Sequence, residues 1–134
     1  METVATGAVS APRILIVDDD PDTRLLLSMG LKRAGFAVTT ATNGQEAMQR
    51  LLEGNFAIIL VDLMMPVMDG IRFLRWLRED AKITLPAVVL SSSIGGTLIA
   101  EATAAGATRF LVKPVQLPEL LAAVRALVPG PGSP

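Results

Sequence analysis

Ile14-Leu15-Ile16-Val17-Asp18-Asp19-Asp20 and Ala57-Ile58-Ile59-Leu60-Val61-Asp62 are two unbroken apolar runs, each closed by acid. A short continuous run of branched aliphatics, without polar alternation, reads as a strand buried on both faces of a parallel sheet. Acids at the carboxyl ends of such strands fall where open α/β sheets keep their ligand crevice. If the two strands are neighbours, their carboxylates crowd together. Two unit charges about 5 Å apart repel by roughly 3 kcal/mol at an effective dielectric of 20. Either one acid holds a proton or a cation sits among them. The pattern asks for a metal.

Working outward, strand-like and helix-like segments alternate with short breaks. Residues 13–18 read as strand one. Asp20 caps the helix that follows, with Pro21 at its first position, where the missing N–H costs nothing. That helix carries Leu25, Leu26, Leu27, Met29 and Leu31, contains Gly30 at a cost of about 1 kcal/mol relative to Ala, and ends near Gly35. Residues 36–40 read as strand two, and Asn43 caps a helix over 44–53 with Ala47, Met48, Leu51 and Leu52 on its apolar stripe. Strand three covers 56–62. A loop over 63–68 and a cap at Asp69 precede a helix over 70–78. Strand four covers 85–90, with Pro86 at its start, and a Ser- and Gly-rich loop follows. A helix over 97–105 stops at Gly106, strand five covers 107–112, and the last helix spans 117–127.

Five βα units imply an α/β fold, a doubly wound five-stranded parallel sheet in the order 2-1-3-4-5, flavodoxin-like. That order sets strands one and three side by side. Residues 13–128 form the domain, residues 1–12 a flexible extension, and residues 129–134 a Pro/Gly/Ser linker or tail.

Composition narrows the chemistry. The chain has 134 residues, 51% of them hydrophobic, which suits one domain with a large core. Its net charge of −1 argues against a direct nucleic-acid footprint. No apolar run reaches the length of a bilayer span, and the first twelve residues lack the pattern of a signal peptide, so the chain reads as cytoplasmic. There are no cysteines and no histidines, which excludes thiol chemistry, imidazole bases and Cys- or His-based metal sites. Carboxylates, amines, guanidinium groups and hydroxyls remain.

Asp20 beside Pro21 reads as a cap, while Asp18 and Asp19 suit a hard cation such as magnesium, though helix capping alone would also account for an acidic run. Asp62 has no basic neighbour in sequence to make an ordinary ion pair. A carboxylate beside a divalent cation can attack phosphorus and become an acyl phosphate. Lys113 ends strand five at the same sheet edge, either as a solvated charge or as a partner for a carboxylate or phosphate. A cis Lys113–Pro114 bond would turn its ammonium inward. Ser91 is either a loop residue satisfying backbone groups or a hydroxyl donor to a phosphoryl oxygen; of the three consecutive serines, its place at the strand end favours it.

Taken in order, Asp18-Asp19, the stretch Asp62-Leu63-Met64-Met65-Pro66-Val67-Met68-Asp69-Gly70, Ser91 and Lys113-Pro114 resemble the receiver domain of two-component response regulators over residues 13–128. The resemblance implies that Asp62 accepts a phosphoryl group from a phosphohistidine on a sensor histidine kinase or a histidine phosphotransfer protein. It implies Mg²⁺ held by Asp19, Asp62 and the Met64 backbone carbonyl, with Asp18 acting through water. Ser91 and Lys113 would hold phosphoryl oxygens. Phe110 falls at the switch aromatic, although core filling explains a Phe there as well. The output would be a downstream protein binding the face of helix four, strand five and helix five, with a homodimer as a further possibility. Ser92 departs from the family's frequent Ala or Gly, and Met64 and Ser93 lie where family members tune dephosphorylation. The chain reads as a stand-alone receiver or as a piece cut at its linker.

Two other classes compete. A Mg²⁺-dependent aspartyl phosphohydrolase would place its nucleophile on strand one in an Asp-x-Asp pattern, which the acidic run contains, and would turn over small phosphate esters. An unphosphorylated docking module would keep the fold without the chemistry, against which stand the site residues all present.

Overall fold

The computed structural model of the protein describes residues 11–65, 68–92 and 95–128. Its strands are β1 (Arg13–Val17), β2 (Ala37–Ala41), β3 (Ile58–Asp62), β4 (Ala87–Ser91) and β5 (Arg109–Val112). Its helices are α1 (Pro21–Arg33), α2 (Gly44–Glu53), α3 (Gly70–Arg75, extended by a π-helical turn over Trp76–Asp80), α4 (Gly96–Ala105) and α5 (Leu117–Leu127). The strands form one parallel sheet in the order β2-β1-β3-β4-β5, the expected doubly wound topology. Among the described residues no helix is long and apolar enough to cross a membrane.

The continuous apolar runs are explained by burial on both faces. Successive strand residues point to opposite sides of the sheet. Leu15, Val17, Ile59 and Val61 enter the core beneath α2, α3 and α4, with Leu51, Phe73, Leu77 and Ala102. Ile14, Ile16, Ile58 and Leu60 enter the core beneath α1 and α5, with Leu27, Leu31, Leu120 and Val124.

Register carries the acids to one place. Val17 is paired with Val61, so the next step along both strands brings Asp18 beside Asp62. Asp62 is paired with Leu90, and Ser91 with Val112, so Ser91 and Lys113 emerge at the same carboxyl edge.

Several boundaries differ from those read in the sequence. β1 stops at Val17, although the Asp18 N–H still donates to Ala41 O at 3.1 Å. β2 is shifted one residue on, because Phe36 N–H closes the α1 terminus on Leu31 O and pairing begins at Ala37. Phe56 lies under the Arg13 guanidinium, 4.7 Å from its ring centre, before β3 begins. Thr108 precedes β5 because its hydroxyl accepts from Ala87 N–H at 3.0 Å. β4 begins at Ala87, since Pro86 offers only its carbonyl, to Ile59 N–H, and α4 starts one residue early, at Gly96.

Two helices also depart from expectation. On α1 the apolar residues divide: Leu27 and Leu31 are buried, whereas Leu25, Leu26 and Met29 are exposed. Gly30 is buried against Leu117 of α5, so its missing side chain lets the two helices approach closely. α3 runs past Arg78 through its wider turn, where Ala81 N–H reaches Trp76 O at 2.9 Å. From that turn Arg78 donates to Gly106 O at 2.8 and 3.1 Å and to Ile83 O at 2.8 Å, tying α3 to the end of α4. The readings of residues 1–10, Pro66, Val67, Ser93 and residues 129–134 lie outside the described residues.

Candidate functional site

The site forms where β1 and β3 run out of partners and their acids meet. Asp18, Asp19 and Asp62 each offer a carboxylate oxygen within 4.8 Å of the others. Asp18 is fully buried, Asp62 is 5% exposed, and Asp19 faces solvent. Asp20 stays out of the cluster as the α1 cap, accepting from Asp22 N–H at 3.3 Å and from the Thr23 hydroxyl at 2.6 Å. The Thr23 bond is the main reason its pKa lies below the usual carboxylate value.

Lys113 faces the cluster. Its Nζ lies 2.7 Å from Asp18 Oδ2 and 3.2 Å from Asp62 Oδ2. The Lys113–Pro114 bond is cis, and the Lys113 N–H donates to Ser91 O at 2.9 Å. Ser91 is fully buried at the end of β4. Asp62 Oδ1 accepts from Met64 N–H at 3.1 Å, which starts the loop after β3, and the Met64 side chain is exposed. Phe110 is half-buried against the core beneath α2, α3 and α4.

Burial pushes the Asp62 pKa up, and the Asp18 charge adds to this. The Met64 N–H and the Lys113 ammonium oppose the rise without cancelling it. Burial works against the Lys113 ammonium too, but its contacts with Asp18 and Asp62 prevail and hold its pKa above the ordinary value.

The donor set fits a hard divalent cation. One ammonium faces three carboxylates, leaving negative charge uncompensated. Among the described residues Asp18 Oδ2 is buried with no hydrogen-bond partner, and the Lys113 ammonium 2.7 Å away meets it as an ion pair. Carboxylate oxygens are the ligands that magnesium and calcium take. The cluster opens on a groove of about 650 Å³ lined by Asp19, Met64, Arg72 and Leu98 among others, so a phosphorylated group can approach.

The residues singled out in the sequence therefore converge: Asp18, Asp19 and Asp62, with Lys113 against them and Ser91 at the same edge. Arg24 was not among them. Its Nη1 donates to Asp18 O at 2.7 Å from the first turns of α1. The available signal was an arginine six residues beyond Asp18, close enough for the helix to return it to the loop.

Known proteins agree with this geometry. Residues 14–125 match the family model described as response regulator receiver domain. The transcriptional regulatory protein SrrA of Staphylococcus aureus is 42% identical over 115 residues, which cover 86% of this chain and 47% of that protein. The chain thus spans about half the length of the curated relatives it matches. Among solved structures, the chemotaxis protein CheY4 of Vibrio cholerae superposes with a TM-score of 0.85 at 32% identity, covering 89% of this chain and 100% of that one. The receiver domain of Francisella response regulator 1452 does so with a TM-score of 0.81 at 31% identity, covering 87% and 95%. Sheet order, acidic cluster and family match converge: the chain belongs to the receiver domains of two-component response regulators.

Proposed function

We propose that the chain is a phosphoacceptor switch in which Asp62 takes a phosphoryl group from a phosphohistidine on a sensor histidine kinase or a histidine phosphotransfer protein. The observation that carries this reading is a buried Asp62 carboxylate clustered with Asp18 and Asp19 and 3.2 Å from the Lys113 ammonium. In the transfer an Asp62 oxygen attacks phosphorus. The new P–O bond forms as the P–N bond breaks, and the departing imidazole keeps the electron pair and takes up a proton.

Mg²⁺ is the proposed cation, and its chemistry is to offset charge on the carboxylate and the phosphoryl oxygens. Asp19, Asp62 and the Met64 carbonyl would hold it directly, with Asp18 acting through water. Lys113, already within reach of Asp62, would hold one phosphoryl oxygen as a point charge. The Ser91 hydroxyl would donate to another, and Phe110 would turn inward after it. A phosphoryl group adds nearly two negative charges. The face of α4, β5 and α5 would then change, and a downstream protein preferring the changed face draws the equilibrium. On this reading the chain promotes only its own phosphorylation and dephosphorylation, in the cytoplasm, and residues 13–128 suffice.

Acetyl phosphate with Mg²⁺ should add one phosphoryl group by intact mass, and Asp62→Asn should add none. Equal labelling of that variant would remove Asp62 from the role. Many turnovers of small phosphate esters per chain would instead favour a phosphohydrolase.

A further inference from the structure

We propose that Arg24 is a positioning residue for the acidic pocket: its guanidinium holds the main chain at Asp18 and, through it, the carboxylate of Asp19. This rests on the pocket being a cation site, as argued above.

β1 ends at Val17, and the Asp18 N–H makes a last bond to Ala41 O at 3.1 Å. The Asp18 carbonyl lies past the paired residues of β1 and β3, on a fully buried residue, and needs a donor. Arg24 Nη1 supplies one at 2.7 Å. The Asp18 side chain is fixed separately, by Asp20 N–H at 2.9 Å and by Lys113 at 2.7 Å. Asp20 is fixed as the α1 cap.

Asp19 lies between these two pinned residues, and among the described residues its carboxylate has no hydrogen bond or ion pair of its own. No side-chain contact fixes its place within 4.8 Å of Asp18 and Asp62, so that place follows the backbone that carries it. Without the guanidinium, the buried Asp18 carbonyl loses its donor. The following peptide then turns toward water, and Asp19 swings with it.

A rival role for Arg24 predicts the opposite sign. Arg24 is itself a cation beside the pocket, so if its charge were what counted, removing it would tighten the binding of a metal ion.

The test is titration of the full chain with Mn²⁺, a spectroscopic stand-in for Mg²⁺, followed by electron paramagnetic resonance without any phosphodonor. Arg24→Met should weaken Mn²⁺ binding about tenfold, the scale of one hydrogen bond lost from a charged donor. Arg24→Lys, which still carries a donor to the carbonyl, should recover most of that loss. In an Asp19→Ala background, Arg24→Met should change binding by less than about twofold, because the ligand it positions is already gone.

Unchanged or tighter binding in Arg24→Met would overturn the proposal, as would the same loss with and without Asp19. Should Arg24→Met not fold, Arg24→Gln, too short to reach, carries the same expectations through the cycle. Wild-type protein that takes up no Mn²⁺ would overturn the cation site and the role of Arg24 together. Wild-type binding matched by Arg24→Met overturns Arg24 alone.

Discussion

Asp62 is where the needs of the fold and of the site conflict. Burial raises its pKa above the ordinary 3.8, so the native state holds that proton more tightly than the unfolded chain. A raised folded pKa contributes stability that is complete below the unfolded value and lost as pH climbs through the folded one. Ionised Asp62 is thus a burden on the metal-free protein at neutral pH. In EDTA, Asp62→Asn should raise Tm by a few degrees near pH 7, and the gain should fade toward zero below about pH 4, where Asp62 is already neutral. Melting curves in which the gain persists in acid, or is a loss at pH 7, would contradict this account. The same conflict made these residues legible. Asp18, Asp19, Asp62 and Lys113 are charges at the ends of apolar runs, where the hydrophobic pattern gives no reason for them. Arg24 was illegible because an arginine on a helix ordinarily looks like a solvated charge. Its contact with Asp18 O exists only once α1 folds back on the loop.

The turn from β3 into α3 shows how an element presents Asp62. Gly70 opens α3, and its N–H donates to Leu63 O at 2.9 Å. A Cβ there would lie 2.6 Å from Leu63 Cα and 2.7 Å from Asp62 O, both backbone atoms that cannot step aside. Gly70→Ala should cost about 2 kcal/mol in urea unfolding, the usual scale of overpacking, and should also slow phosphorylation, because the displaced peptide belongs to Asp62. Gly96→Ala meets nothing within 4 Å and should stay within about 0.5 kcal/mol of wild type. Equal effects of the two substitutions would rule out the close approach at Gly70. The caps at Asp20, Asn43 and Asp69 were readable because each accepts from a backbone N–H in the following turn. The π-helical turn was not readable, since it accompanies contacts between Arg78 and carbonyls five and twenty-eight residues away. Nor was the division of the α1 leucines, because a run of three consecutive leucines carries no period that marks the buried face.

For the whole molecule, topology and register place the acids together, and the two cores hold that register against repulsion. A cation that binds the assembled cluster, and not the unfolded chain, must stabilise the fold by mass action. Mg²⁺ at about a hundredfold excess over its Kd should add about 2.7 kcal/mol and raise Tm by several degrees. Asp19→Asn should lose most of that shift; a shift of equal size would place the ion elsewhere. The most direct measurement is to locate the phosphoryl group itself. After reaction with acetyl phosphate and Mg²⁺, borohydride reduces an aspartyl phosphate to homoserine, which tandem mass spectrometry reads at a single position. Homoserine should appear at position 62 alone, and not at all when Mg²⁺ is removed. Homoserine at position 18 or 19, or none in protein that has gained phosphate mass, would contradict the role of Asp62.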